Sequence, residues 1–166
     1  MAELEAIRLA GIRGVYFADG SLTIKKERAY AVFEYFLNVF TEGRLHTEIK
    51  LDIVPDLVID QIRELCDQGR IDFGVGLQSV NRTTLRNMGR PTSLDRVAKN
   101  ARKIGSGARI RWDLIYGLPG DTYDDLLGGM DYIMSVQPGA LMVIQPLQVL
   151  PGTEYGGARL SRRFDL

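Results

Sequence analysis

Short apolar segments alternate regularly with amphipathic helical segments along most of this chain. Strand-like segments lie near residues 12–17, 45–51, 71–78, 108–116 and 140–148, and an apolar stripe at helical spacing follows each of the first four. Short loops between such segments indicate parallel strands connected by right-handed crossovers. The pattern therefore predicts an α/β fold with about five parallel strands. No linker-like segment interrupts it, so residues 1–166 are expected to form a single domain.

Residues with capping preferences predict where several helices begin. Pro55 is expected to open the helix after the second strand, because proline is favoured in the first turn of a helix. Thr92 with Asp95, and Thr122 with Asp125, have the spacing of a capping box, in which the two residues satisfy backbone N–H groups at a helix start. Helices are therefore expected to begin near Pro55, Thr92 and Thr122.

Polar residues on the strands help to choose between two architectures, a doubly wound sheet and an open portion of a (β/α) barrel. In a barrel the outward face of each strand packs against helices, whereas polar groups on the inward face near strand C-termini are commonly functional. Glu48, Gln78 and Asp113 each lie opposite the more apolar face, in the C-terminal half of their strand. This placement favours a partial (β/α) barrel.

The inward face is predicted to carry a ligand site. Burying a carboxylate without a partner is costly, so Glu48 and Asp113 require hydrogen-bond donors, a cation or a ligand. Gly74 and Gly76 lie on the strand that ends at Gln78 and leave room for a bulky molecule near the backbone. Arg90, one helix later, is placed to bind a carboxylate. Together these residues favour a ligand that joins an amino acid to a ribose.

Structural alternatives stay open for several of these residues. Glu48 could instead form an ion pair with Lys50 or with an arginine, and Arg90 could be a solvated loop residue before Pro91. Residues 117–120, GLPG, form either a plain turn or a phosphate-contacting loop at a helix N-terminus.

Charge and cysteine content exclude several functional classes. The 21 basic and 21 acidic residues give a formal net charge of +0, which provides no electrostatic footprint for nucleic acid. No run approaches the roughly 18 apolar residues of a membrane span, and the start lacks the basic residues of a signal peptide, so a cytoplasmic location is predicted. Cys66 is the only cysteine and His46 the only histidine, which argues against a zinc or iron–sulfur site built by this chain alone.

Three ordered motifs resemble those of one enzyme superfamily. The runs GVGLQSVNRTTLRNMGR, WDLIYGLPGDTYDD and PLQVLPGTEY occur in the order and at the distances typical of radical S-adenosylmethionine (radical SAM) enzymes. The resemblance is strongest to the cobalamin-binding branch that includes anaerobic magnesium-protoporphyrin monomethyl ester cyclase. Part of the pattern also resembles oxygen-independent coproporphyrinogen oxidase.

The resemblance implies roles for the residues of the inward face. Glu48 would hydrogen-bond the ribose of S-adenosylmethionine, Gln78 and Asp113 would line the same cofactor, and Arg90 would contact its carboxylate. Val149 and Leu150, after the last strand, would lie near the adenine.

The resemblance also implies a [4Fe-4S] cluster, but the CxxxCxxC motif that binds it in the family is absent from this sequence. In the family that motif follows the first strand, and residues 1–11 match the helix before the second. The chain is therefore interpreted as a truncated radical SAM core that lacks the first strand, the cluster loop and any cobalamin domain. Alone it is expected to be inactive, and its exposed strand edge is expected to promote dimerisation.

For the parent enzyme, the resemblance implies that S-adenosylmethionine yields a 5′-deoxyadenosyl radical, which abstracts a hydrogen from a small-molecule substrate. In the cyclase branch this chemistry closes the fifth ring of magnesium-protoporphyrin IX monomethyl ester in (bacterio)chlorophyll biosynthesis. A tetrapyrrole substrate, an electron donor for the cluster and cobalamin are then the expected partners. The alternatives are another cobalamin-type methyltransferase or tailoring enzyme, and a non-catalytic binding module that has lost the cluster.

Overall fold

A computed structural model of the chain describes residues 1–20 and 22–151. The sheet contains five strands within this part of the chain: β1 Gly14–Tyr16, β2 Arg44–Glu48, β3 Ile71–Gln78, β4 Ile110–Tyr116 and β5 Leu141–Pro146. The α-helices that accompany them are α1 Ala2–Leu9, α2 Lys26–Asn38, α3 Asp56–Asp67, α4 Arg82–Asn87, α5 Leu94–Ile104 and α6 Tyr123–Val136. None of the described helices is long and apolar enough to cross a membrane.

The strand order confirms the partial barrel and excludes the doubly wound sheet. All four strand pairs are parallel, and the strands lie side by side in chain order, from β1 to β5. Right-handed crossovers that always advance in one direction place every helix on the same face of the sheet. A doubly wound sheet would reverse its order and cover both faces.

The hydrophobic core lies between this single helical layer and one face of the sheet. Alternate residues of the three central strands point into it and are buried: Leu45, Thr47, Ile71, Phe73, Val75, Leu77, Ile110, Trp112 and Leu114. Phe33 and Phe36 of α2 and Ile59 and Ile62 of α3 pack in the same core and are fully buried. Because side chains alternate along a strand, the intervening residues occupy the opposite face, which none of the described helices covers.

Several predicted boundaries differ from those observed. The second strand ends at Glu48 rather than near residue 51, because Leu51–Ile53 forms a 3₁₀ turn that buries Asp52. The predicted capping box of Thr92 with Asp95 is wrong: Ser93 caps α5, accepting from the Arg96 backbone N–H at 3.4 Å. The capping box of Thr122 with Asp125 is confirmed at the start of α6.

We expect this chain to self-associate through its strand edges. Among the described residues, β1 pairs only with β2 and β5 only with β4, so each leaves one row of backbone hydrogen-bonding groups unpaired. The β1 edge is three residues long, whereas β5 has six residues and exposes Leu141 and Ile144. Light scattering at rising concentration should show a dimer or larger species. A strictly monomeric chain at high concentration would contradict this expectation.

Candidate functional site

The uncovered face of the sheet is polar and charged at its centre. Strand register places Glu48 of β2, Gly74 of β3 and Arg111 of β4 in one row across the sheet, because Glu48 is aligned with Gly74 and Gly74 with Arg111. Asp113 lies two residues beyond Arg111 on the same face and is aligned with Gly76. The face therefore brings together the two carboxylates and both glycines that the sequence analysis had selected.

Arg111 joins the two carboxylates. Its Nη2 donates to Glu48 Oε1 at 2.6 Å and to Asp113 Oδ2 at 3.1 Å, and its Nε donates to Asp113 Oδ1 at 3.0 Å. These hydrogen bonds, led by those to Asp113, raise the pKa of the guanidinium above its usual value, although partial burial opposes the shift. The sequence left Lys50 or an arginine as possible ion-pair partners of Glu48, and the structure contains the pair with an arginine, Arg111.

Gly74 makes this ion pair possible. Glu48 and Arg111 are separated by the whole of β3, a distance of about 10 Å between backbones two strands apart. A Cβ on Gly74 would overlap Glu48 Oε2 and would lie 2.7 Å from both Arg111 Nη2 and Glu48 Oε1. The space that Gly74 leaves is thus filled by the two side chains that meet above it.

Gln78 ends β3 in an unusual backbone conformation. Its φ is 70°, in the left-handed region that few residues other than glycine adopt. A bulge accompanies this, because β3 advances from Gly76 to Gln78 while β4 advances only from Asp113 to Leu114. The side chain folds back so that its Nε2 would overlap a Cβ on Gly76. Such strain persists where surrounding structure enforces it, and it concentrates at functional sites.

Arg90, in the loop after α4, also lies close to Gly76. Its Nη2 donates to the Gly76 carbonyl at 2.8 Å and would lie 3.2 Å from a Cβ on that residue. Arg90 Nε and Gln78 Oε1 are both buried and have no hydrogen-bond partner among the residues that the structure describes. Leaving a buried polar atom without a partner costs about 1–3 kcal/mol, so the two atoms are candidate contacts for the polar groups of a ligand.

Three hydrogen bonds connect the segment after Gln78 to residues 119–121. Ser79 Oγ donates to Asp121 Oδ1 at 2.9 Å, and Asn81 Nδ2 donates to the Gly120 carbonyl at 3.3 Å. Thr84 Oγ1 donates to the Pro119 carbonyl at 3.4 Å. Residues 117–120 therefore form a turn whose carbonyls bind the β3–α4 segment, which fits the plain-turn alternative. Burial raises the pKa of Asp121 from its usual value, against the opposing effect of the Ser79 hydrogen bond.

A groove of ≈ 370 Å³ runs over β4 and β5 beside these residues. Its lining includes Gln78 of β3, Arg111, Asp113 and Ile115 of β4, and Val143 and Gln145 of β5. A larger cavity of ≈ 680 Å³ lies off this face, between α4 and the start of α5, and contains none of the predicted site residues.

The remaining predicted residues lie outside this cluster. Val149 and Leu150 follow β5 and are exposed, and neither lines the groove. His46 lies on the open face and stacks on Tyr16 with ring centroids 5.0 Å apart. Cys66 packs against the core from α3, where burial raises the pKa of its thiol to about 12. A thiol held in its protonated form is a poor metal ligand.

Arg111 is the site residue that the sequence analysis did not select. Its signal was present, because alternation along β4 places it on the same face as Asp113. Its partner Glu48 is 63 residues away, and the contact depends on Gly74 standing between them. The contact between Arg111 and Glu48 can be predicted only when the register of the three strands is known.

Similarity to known proteins is clearest at the level of the superfamily. The sequence profile of the radical SAM superfamily matches residues 1–133. The chain belongs to the radical SAM superfamily. No curated protein matches the chain.

Several solved structures share this fold at low sequence identity. Coproporphyrinogen III oxidase from Escherichia coli has a TM-score of 0.64 and 20% identity over 84% of this chain and 33% of its own. SuiB from Streptococcus suis has a TM-score of 0.61 and 13% identity over 90% of this chain and 33% of its own. A domain of pyruvate-formate lyase-activating enzyme from Bacteroides vulgatus has a TM-score of 0.58 and 12% identity, over 91% of this chain and 89% of that domain. The chain thus spans about a third of the first two proteins, and these likenesses show the fold alone.

The two cofactors of radical SAM proteins fit this chain differently. A [4Fe-4S] cluster does not fit, since the sequence has one cysteine and no group of three metal-ligating side chains occurs in the described part of the chain. The chemistry of S-adenosylmethionine is compatible with the open face, because Gln78 Oε1 and Arg90 Nε have no partners among the described residues and Glu48 and Asp113 lie on the same face. Radical SAM proteins use both cofactors, and the residues of this chain match the chemistry of the second.

Proposed function

We propose that the open face of this sheet is one wall of the S-adenosylmethionine site of a radical SAM enzyme. The observation that carries the proposal is the convergence of Gln78 and Arg90 over Gly76, each with a buried polar atom that has no partner in the described part of the chain. One atom is an acceptor and the other a donor, so a ligand bearing both an N–H or O–H group and an oxygen acceptor would satisfy them.

Each site residue has a role in this proposal. Glu48 and Asp113 accept hydrogen bonds from the ribose hydroxyls, Gln78 makes a further polar contact, and Arg90 binds the carboxylate of the amino-acid part. The support for Glu48 is that its Oε2 stands over Gly74 and accepts no hydrogen bond from the described residues, while Oε1 is held by Arg111. Val149 and Leu150 supply apolar contacts to the adenine.

The cofactor supplies the radical chemistry, and this part of the protein binds, orients and shields it. With one cysteine, this chain offers no set of thiolates for the cluster. An electron donor and a small-molecule substrate are the partners of the parent enzyme in this proposal. Arg111 offsets one of the two negative charges, and the carboxylate oxygens of Glu48 and Asp113 are suited to accept from hydroxyl groups such as those of a ribose.

A tetrapyrrole substrate is supported only by the resemblance of the three sequence motifs to the cyclase branch. On that resemblance we propose oxidative cyclisation of magnesium-protoporphyrin IX monomethyl ester as the reaction, with cobalamin bound outside these 166 residues. Solved relatives with the same fold include a coproporphyrinogen oxidase and a protein crystallised with a precursor peptide, so the fold serves different substrates. Methyl transfer or another tailoring reaction is the alternative chemistry for the same site.

Binding of S-adenosylmethionine to the purified chain tests the central proposal. We expect weak binding, with a Kd on the order of 1 mM, because no cluster iron is present to hold the amino-acid group. In a ¹⁵N-resolved NMR titration, the amide shifts should concentrate on Gly74, Gly76 and Gln78. Replacing Glu48 by Gln should weaken binding about tenfold, since the neutral amide is a poorer acceptor for the ribose hydroxyls.

Adenosine serves as the matched ligand in this titration. It should shift the amides near Glu48 and Asp113 but not that of Arg90, because it lacks the carboxylate. If S-adenosylmethionine shifts no amide on this face at its solubility limit, the proposed site is wrong. Micromolar affinity for the isolated chain would show that the cluster anchor matters less than proposed.

A further inference from the structure

We propose that Arg111 is a positioning residue that holds Glu48 and Asp113 aimed at the ribose of the cofactor. This inference rests on the proposed function and adds a residue that neither the sequence motifs nor the family resemblance selected. Arg111 would act through the two carboxylates and would not itself contact the cofactor.

The geometry gives the first argument. Arg111 reaches across β3 to hold one oxygen of Glu48, which fixes the carboxylate and leaves Oε2 standing over Gly74. The same guanidinium binds both oxygens of Asp113 through Nε and Nη2. Paired donors of this kind fix orientation as well as distance. A single side chain therefore sets the positions of both proposed ribose acceptors.

Charge gives the second argument. Two carboxylates that share one partly buried site repel each other, and a cation between them offsets part of that repulsion. Arg111 is the cation in ion-pair contact with Glu48 and Asp113 within the described ranges. The side chains of the triad are only 21–34% exposed, so solvent screening is incomplete. Because arginine stays protonated at all ordinary pH values, its contacts with the two carboxylates persist.

The other charged groups of the open face have partners of their own and do not take the place of Arg111 in this cluster. Arg44 pairs with Asp72 at 3.2 Å, and His46 stacks on Tyr16. Arg90 donates to the Gly76 carbonyl. In the described structure, each of these groups is engaged elsewhere than with Glu48 or Asp113.

Substitution of Arg111 by Gln tests whether Arg111 positions the two carboxylates. In Arg111→Gln we expect affinity for S-adenosylmethionine to fall about tenfold, because the donors that hold Glu48 and Asp113 in place are gone. Adenosine should lose affinity by a similar factor, since it carries the same ribose. Arg111→Lys should restore only part of the affinity, because a lysine ammonium lacks the planar fork that holds a carboxylate bidentately.

The matched control is Arg44→Gln, which breaks the other ion pair of the same face and should leave both affinities unchanged. Side-chain ¹³C relaxation of Glu48 and Asp113 measures how firmly the two carboxylates are held without any ligand, and it should show greater motion in Arg111→Gln. Unchanged relaxation in Arg111→Gln would overturn the inference, and so would unchanged affinity.

The two proposals fail in different ways. Absence of S-adenosylmethionine binding by the wild-type chain refutes the proposed function, while the ¹³C relaxation still decides whether Arg111 holds the carboxylates. Wild-type binding together with unchanged affinity in Arg111→Gln refutes only the role of Arg111.

Discussion

Replacing Gly74 by Ala should abolish detectable binding of S-adenosylmethionine while the chain stays folded. The added Cβ would occupy the place where Glu48 and Arg111 meet, so the carboxylate would be pushed away from its position over β3. The displaced atoms are the ends of flexible side chains, and overpacking typically costs about 1–3 kcal/mol. We expect affinity to fall at least tenfold, equivalent to about 1.4 kcal/mol or more. An NMR titration with thermal unfolding alongside measures both effects.

Gly14→Ala is the matched control for this substitution. Gly14 is also a strand glycine, and nothing lies within 4 Å of a Cβ built on it. Its variant should bind as the wild type does and unfold at a similar temperature. Undiminished binding by Gly74→Ala would show that the ion pair above Gly74 has no part in holding the cofactor.

The sequence predicted the architecture well because local patterns determine it. Alternation along residues 71–78 showed which side chains of β3 face the helices, and the repeated strand–helix order implied parallel strands. The placement of Glu48 and Asp113 on one face followed from the same alternation. The short first strand and the early end of β2 were not predicted, since both depend on how neighbouring segments pack.

The details of the candidate site depended on relations between strands, which no local pattern contains. The bulge at Gln78 arises because β3 gains one residue relative to β4, and the left-handed backbone of Gln78 accompanies it. The Arg111 contact with Glu48 requires two strand registers and a glycine between them. Sequence analysis therefore found the two carboxylates of the open face but missed the arginine that links them.

Strand β4 carries Arg111 and Asp113 on the open face of the sheet. On its other face, Trp112 packs in the core. This side chain is fully buried, and its Nε1 donates to Gln137 Oε1 at 2.7 Å. Gln137 in turn donates to the Ala108 carbonyl at 2.7 Å, so the contact ties β4 to the end of α6 and to the loop before the strand.

Trp112→Ala should therefore lower the free energy of unfolding by about 3–5 kcal/mol, a large fraction of the about 5–15 kcal/mol typical of a domain. Trp112→Phe retains most of the apolar volume but leaves Gln137 Oε1 without its donor, so a smaller loss of about 1–3 kcal/mol is expected. Denaturant unfolding of both variants separates packing from hydrogen bonding. Tyr123→Ala, which removes an aromatic ring that is 72% exposed, should change stability by no more than about 0.5 kcal/mol.

Equal losses in Trp112→Ala and Trp112→Phe would contradict the assignment of most of the stabilisation to buried volume. Because Arg111 and Asp113 flank Trp112 on β4, loosening of the helical face should also disturb the open face. We therefore expect the carboxylate signals of Asp113 to broaden in Trp112→Ala, even under conditions where the variant remains folded, and to stay sharp in Tyr123→Ala. This result would show that the packing of Trp112 on the helical face of β4 holds Asp113 in place on the open face.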